Sequence, residues 1–282
     1  MHYGTIITAR DLLRPGPPPD WVVIDCRFEL ADPAWGESAY RLGHIPGAFF
    51  AHLDKHLCGA VTRGSGRHPL PDWRRLAERL GQWGIRPAPQ VVVYDQHNGA
   101  YAARLWWMLR ALGHENAAVL DGGWSAWLRA GGAEDAAVPP LRSGRYEARC
   151  GSGWVTAARL EQELASGDCV LVDARSAERY RGEQEPIDPV AGHVPGALNR
   201  PYTENLRRNE TFRSAAVLRA QWAALLGGRA PDSVVHMCGS GVTACHNLLA
   251  MEIAGLSGSR LYAGSWSEWI ADSARPVAVC TR

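Results

Sequence analysis

The sequence predicts an α/β protein made of two tandem domains, each a mainly parallel central sheet flanked by helices. Three observations lead there. Short, wholly apolar runs alternate with helical segments, as in strands buried on both faces of a parallel sheet. Four sequence blocks recur in the same order in the two halves. A stretch of glycine, proline and small residues without periodicity separates them. We therefore expect a first domain over residues 1–138, a linker over 139–153 and a second domain over 154–282.

The repeated blocks are explicit. Trp21-Val22-Val23-Ile24-Asp25-Cys26-Arg27 matches Val170-Leu171-Val172-Asp173-Ala174-Arg175. Gly43-His44-Ile45-Pro46-Gly47-Ala48 matches Gly192-His193-Val194-Pro195-Gly196-Ala197. Val91 to Asp95 matches Val234 to Cys238, and Gly122-Gly123-Trp124-Ser125-Ala126-Trp127 matches Gly264-Ser265-Trp266-Ser267-Glu268-Trp269. Each half opens on a short helix, Thr8 to Leu13 and Thr156 to Leu164, with the threonine as N-cap. Further helices are expected at Asp72 to Trp83, Tyr101 to Leu112, Ala215 to Leu226 and Thr243 to Ala254. Gly84, Gly113, Gly227 and Gly255 follow them, where a left-handed C-terminal glycine belongs. Residues 15–19, Pro-Gly-Pro-Pro-Pro, read as a stiff connector. The tryptophans sit in helices or beside glycine turns, which suits packing rather than base stacking.

Composition excludes several functions. Thirty Lys plus Arg against 29 Asp plus Glu leave a formal charge of +1. Such a chain has no global field for nucleic acid or anionic lipid. No apolar run approaches the roughly 20 residues of a membrane span. The first residues lack a signal-peptide layout. Seven irregularly spaced cysteines, with no Cys-x-x-Cys pair, argue against a disulfide framework or structural zinc. A reducing cytoplasm and a monomer are expected.

One cysteine is placed for chemistry. Val234 to Met237 reads as a buried strand. Cys238-Gly239-Ser240-Gly241 then forms a glycine-spaced loop, and helical periodicity begins near Val242. Such a loop points N–H groups inward above a helix N-terminus. That arrangement favours a thiolate and any anion formed during reaction. A lone cysteine would read as a small buried hydrophobe; the strand-Cys-Gly-x-Gly-helix context points to a nucleophile. Cys245 is expected about two turns down the helix, packing rather than resolving a disulfide.

Together these blocks resemble the tandem-domain sulfurtransferases of the rhodanese and 3-mercaptopyruvate sulfurtransferase family. The resemblance rests on Asp-x-Arg after each first long strand, both Gly-His-Ile/Val-Pro-Gly-Ala segments, Cys238 to Ala244 and the Gly-x-Trp-x-x-Trp turns. It implies that the N-terminal domain keeps the fold without the nucleophile, because Asp95 stands at the cysteine position. It implies that Cys238 carries a persulfide and needs no metal or organic cofactor. Substrate contacts fall on Gly239, Gly241, Val242, Thr243 and Arg179, while Arg175 and Arg27 make structural ion pairs. Ser240, His68 and Asp54 form a proton relay, and the repeated His44 and His193 are architectural.

Gly239-Ser240 after the cysteine resembles the mercaptopyruvate branch; thiosulfate enzymes typically carry Arg-Lys there, two cations suited to a dianion. Mercaptopyruvate enzymes often carry a second arginine about nine residues after Arg179, and this chain has Asp188 there. The expected donor is 3-mercaptopyruvate and the expected acceptors are cyanide, glutathione or a thioredoxin-like protein. The alternatives are thiosulfate as donor, or a non-catalytic sulfur carrier. A cysteine phosphatase would need an arginine six residues after the cysteine, where this chain has Ala244.

Overall fold

The structure, a computed structural model, describes residues 2–14, 20–86, 89–147 and 151–280. The proline-rich connector at 15–19, Cys150 and part of the expected linker lie outside the described residues. The chain divides into two compact units. The first comprises Met1–Gly59, Pro71–Ser152 and Arg208–Phe212; the second comprises Ala60–Leu70, Gly153–Arg207 and Arg213–Arg282. A single cut in the sequence does not separate them: the segment with His68 precedes residue 138 yet belongs to the second unit. Its contacts with residues near 188, 240 and 264, described below, are the reason.

The first unit runs β1 (Ile6–Ile7), α1 (Ala9–Leu13), β2 (Val22–Asp25), α2 (Trp35–Leu42), β3 (Phe49–Phe50), α3 (Leu53–His56), α4 (Trp73–Gln82), β4 (Val91–Tyr94), α5 (Ala102–Ala111), β5 (Ala117–Leu120) and α6 (Gly123–Arg129). Its five strands lie in the order β1-β5-β4-β2-β3, every pair parallel. The second unit runs β6 (Trp154–Val155), α7 (Ala157–Ser166), β7 (Val170–Asp173), α8 (Ala177–Arg181), β8 (Leu198–Asn199), α9 (Ala215–Leu226), β9 (Val234–Met237), α10 (Ala244–Ile253), β10 (Arg260–Tyr262) and α11 (Ser265–Trp269). Short 3-10 turns lie at Tyr202–Asn205 and Pro231–Ser233. The strand order β6-β10-β9-β7-β8 repeats the first, again all parallel.

Local chemistry accounts for the elements. All four residues of β2, β4, β7 and β9 are buried, so these strands are covered on both faces rather than alternating between core and solvent. Thr8, Asp72 and Thr156 accept first-turn N–H groups and start α1, α4 and α7. Gly227 is left-handed at the end of α9, and Gly84, Gly113 and Gly255 are left-handed just past α4, α5 and α10. Trp106, Trp107, Trp124, Trp127, Trp266 and Trp269 are all buried. Residues 142–146 of the expected linker pack in the first unit, where the Arg142 N–H donates to Gln82 O and Tyr146 is buried beside His114.

The repeated motifs make the same contacts in each unit. Asp25 and Arg27 pair at 2.7 Å, and Asp173 and Arg175 at 2.6 Å. Each guanidinium also donates to a glycine carbonyl, Gly43 or Gly192, and lies over a tryptophan, Trp124 or Trp266. His44 stacks on Tyr40 and His193 on Tyr180, both with ring centroids 3.9 Å apart. Each histidine Nδ1 meets that tyrosine's carbonyl at 2.7 Å. The tyrosines stand at different spacings, four residues before His44 but thirteen before His193, so sequence register alone did not reveal the pairing.

Candidate active site

The site is built at the end of β9, the central strand of the second sheet. The parallel arrangement brings several strand ends to one edge, where ligands of open α/β sheets bind. Cys238 follows Met237 directly and is 2 % exposed. Residues 238–243 form the loop, and α10 begins at Ala244, with the Val242 and Thr243 carbonyls accepting the Cys245 and His246 N–H groups. Gly241 has φ +76°, and a Cβ there would lie 2.2 Å from Ala263 O. Only glycine fits that turn.

The loop is latched from behind. The Cys238 N–H donates to Ser265 Oγ at 3.0 Å, and Ser265 Oγ donates to Tyr262 O at 2.9 Å. Trp266 and Ser267 N–H groups donate to the Cys238 and Gly239 carbonyls. Ser265 holds φ +55°, a left-handed conformation for a residue with a side chain. The Gly241 N–H donates to Cys238 Sγ at 3.1 Å. Among the described residues it is the one amide of 239–243 bonded to that sulfur, where the sequence suggested several.

The first unit shows what such a loop holds. Asp95 ends β4 as Cys238 ends β9. Its Oδ1 accepts the His97 and Gly99 N–H groups at 3.2 and 2.9 Å, and its Oδ2 accepts those of Tyr101 and Ala102 at 2.9 and 3.1 Å. Four converging amides make an anion nest, here filled by the chain's own carboxylate. The same latch recurs, with Trp124 and Ser125 N–H groups on the Asp95 and Gln96 carbonyls.

Ser240 Oγ lies 2.7 Å from His68 Nδ1, and both residues are 6 % exposed. Which of them donates depends on the histidine tautomer. Asp54 is an exposed residue of α3, in the first unit, and its N–H donates to His52 Nδ1. Cys245 is nearer than expected. The loop takes up six residues, so Cys245 is the second residue of α10, buried, with its thiol 3.4 Å from Gly241 O. The described cysteines are free. Burial pushes the Cys58 and Cys169 thiols up to about 11 and Cys26 well above its ordinary range, which suits inert packing residues.

Two guanidinium groups flank the loop. Arg179, one of two arginines in the last turn of α8, donates to Glu185 Oε1 at 2.7 Å and to Asp188 Oδ2 at 3.1 Å. Arg67, next to His68, pairs through Nη1 with Asp188 Oδ1. Asp188 and Glu185 have side chains 3 % exposed. Burial pushes the Asp188 carboxyl above its ordinary range, against the pull of Arg67. Burial also opposes ionisation of Glu185, yet hydrogen bonds from Arg179 and the Asp188 and Ile187 amides hold it below its ordinary range. The sequence reading missed Arg67, Glu185 and Ser265. Arg67 is the residue before His68, which the resemblance had picked out, and Ser265 is where Gly-Ser-Trp replaces Gly-Gly-Trp in the repeat.

A duplicated parallel α/β fold with a loop-borne cysteine at one of its two matching strand ends defines a tandem sulfurtransferase. Comparison with known proteins agrees: the chain belongs to the rhodanese-like family, whose domain matches residues 8–130 and 156–272. It is 47 % identical, over 99 % of both chains, to a protein of Pseudomonas aeruginosa named probable 3-mercaptopyruvate sulfurtransferase. It is 39 % identical, over 96 % of both, to a protein of Mycobacterium tuberculosis named putative thiosulfate sulfurtransferase SseB. The crystal structure of SseA from Escherichia coli, described as showing the rhodanese fold of 3-mercaptopyruvate sulfotransferases, superposes with a TM-score of 0.80. It shares 29 % identity and covers 94 % of this chain and all of that one.

Proposed function

We propose that this enzyme takes the sulfur of 3-mercaptopyruvate onto Cys238 and passes it to a thiol or cyanide. The observation that carries the reading is the pair of guanidinium groups beside the cysteine loop, with their charge already balanced by Glu185 and Asp188. A balanced pair suits a monocarboxylate; a dianion such as thiosulfate calls for uncompensated positive charge in the loop itself.

In this mechanism the Cys238 thiolate attacks the mercaptopyruvate sulfur. An S–S bond forms, the C3–S bond breaks, and its electron pair leaves on pyruvate enolate. The donor's thiol proton passes through Ser240 and His68 to C3 of the enolate, so the products are pyruvate and a Cys238 persulfide. Asp54 is assigned to the far end of that relay. The Gly241 N–H, with the other loop amides through Thr243, stabilises the sulfur anion, as the Asp95 nest stabilises a carboxylate. Arg179 orients the substrate carboxylate. A second thiolate, from glutathione or a thioredoxin-like protein, or cyanide, then removes the outer sulfur. No cofactor takes part. The first half, with Asp95 in its nest, carries no nucleophile. A monomer in a reducing compartment such as the cytoplasm fits the free cysteines. Among the described residues no helix is long and apolar enough to cross a membrane.

Intact mass after incubation with each donor tests this. The wild type should gain one sulfur from 3-mercaptopyruvate, and Cys238→Ser should gain none. A gain from thiosulfate alone would keep the persulfide and overturn the donor. No gain from either would favour a sulfur-binding module.

A further inference from the structure

We propose that the first unit carries a binding site of its own, an aromatic-floored pocket beside β3 that takes a planar aromatic monocarboxylate on Arg79 and His56. The proposal is independent of the chemistry assigned to Cys238, and every residue it uses belongs to the first unit.

The pocket has a volume of about 520 Å³ and opens between α2, β3, α3, the end of α4 and the segment 138–141. Cavities of roughly 300–1,000 Å³ with apolar linings and a few polar groups are typical ligand sites. The floor is preformed. Tyr40, Phe49 and Trp83 are buried there. The Tyr40 O–H donates to Ala48 O at 2.7 Å, and Phe50 stacks on its ring with centroids 5.3 Å apart. One wall is pinned at both ends. His44 and Asp135 exchange backbone hydrogen bonds, and the Arg142 N–H donates to Gln82 O at 2.8 Å. Between these anchors Val138 and Leu141 line the pocket yet remain 63 and 56 % exposed. Two aliphatic side chains are thus held by anchored backbone at the mouth of an apolar pocket, where a bound ring would cover them.

Charge selects the ligand. Arg41, Lys55 and Arg79 line the pocket against one carboxylate, Glu37. Glu37 takes Arg41 on Oε1 at 2.7 Å and Lys55 on Oε2 at 3.2 Å. Arg79 is half-buried and makes no ion pair or side-chain hydrogen bond to a described residue. His56 accepts the His52 N–H at Nδ1, which leaves its ring proton on Nε2, without an acceptor among the described residues. The His56 ring stands edge-on to Trp83, with centroids 5.7 Å apart. Burial first, and then the nearby charge of Arg79, keep that ring neutral. A guanidinium and an imidazole N–H, near one another beside an aromatic floor, match the two oxygens of a carboxylate on an arene. Glu37 on the same rim opposes a second negative charge on the ligand.

Ligand-observed NMR titration with 1-naphthaleneacetate, and with 1-naphthaleneacetamide as its uncharged analogue, tests this. The wild type should bind the acid at one site with Kd of about 0.1–1 mM, and the amide about tenfold more weakly. Excess pyruvate should change the acid's Kd less than about twofold, because independent sites do not compete. Arg79→Gln should weaken the acid about tenfold and leave the amide within about twofold. Arg79→Lys, which keeps the charge without the fork, should fall between. Leu141→Glu puts a negative charge at an exposed position of the mouth; it should weaken the acid more than the amide, and it serves if the Arg79 variants fold poorly. Displacement of the acid by pyruvate would move the binding to the cysteine site and overturn the proposal. Equal affinity for acid and amide, an acid affinity indifferent to both Arg79→Gln and Leu141→Glu, or no binding of the acid would each overturn it as well.

Discussion

Ser265 concentrates the residue-scale physics of the site. Its φ of +55° is one that an L-residue reaches at a cost of about 1–2 kcal/mol. Gly123, its counterpart in the first unit, has φ +57° and no such cost. The hydroxyl offsets the strain by taking the N–H of Cys238, which is buried and would otherwise lack an acceptor. Removing that hydroxyl should cost about 1–3 kcal/mol. Ser265→Ala keeps the strain and loses the latch, whereas Ser265→Gly loses the latch and relieves the strain. Urea melts should therefore show the alanine variant less stable than the glycine variant by about 1 kcal/mol. Equal stabilities would mean that the left-handed backbone carries no cost here.

At the scale of elements, the strand-loop-helix unit is used twice with different heads. In the first unit six residues, 96–101, separate Asp95 from the start of α5, and four amides close on the carboxylate. In the second unit five, 239–243, separate Cys238 from the start of α10, and Gly241 supplies the amide on sulfur. The shorter loop depends on Gly241, whose missing Cβ lets Ala263 O approach. Gly241→Ala should move the loop off the sulfur and slow persulfide formation at least about tenfold, since both the left-handed backbone and the clash oppose the native turn. A single-turnover mass assay reads this directly, and an unchanged rate would remove Gly241 from the anion site. The same variant should leave the first unit's Asp95 nest untouched, because those four amides come from its own loop.

At the scale of the whole molecule, stability should fall on mild acidification. Burial, helped by the nearby charge of Arg79, pulls His56 down to about 4. Its Nδ1 accepts the His52 N–H at 3.0 Å, so protonation would also break a hydrogen bond. Burial pulls His236 in the second unit down to about 3, beside Trp222 and Met251. The folded pKa lies below the unfolded value near 6.5 in both cases. Between those values the unfolded chain binds more protons, so stability is complete above about pH 6.5 and drains away as pH falls toward 4. Melting curves at pH 7 and pH 4.5 should show this slope in the wild type and a shallower one in His56→Gln. Parallel slopes would show that His56 is not held neutral in the fold.

The α/β class, the duplication and the cysteine at the end of a central strand were legible because they are local. A four-residue apolar run, a helical period, a capping threonine and a positive-φ glycine each act within a few residues, and the repeat shows each pattern twice. The choice of Cys238 over the other six cysteines also came from its immediate neighbours, whereas Ser240 and its relay with His68 came from the family resemblance. Tertiary structure decided what depends on segments far apart in the chain. His68 meets Ser240 across 172 residues and Arg67 meets Asp188 across 121. No periodicity encodes such meetings. Asp188 read as a departure from the usual second arginine; packing shows it clamped between two guanidinium groups, one of them from a segment that sequence order had assigned to the other half. Side-chain convergence belongs to the packing of strand ends and loops at one sheet edge, and there a single hydroxyl or one missing Cβ decides which donors reach the sulfur.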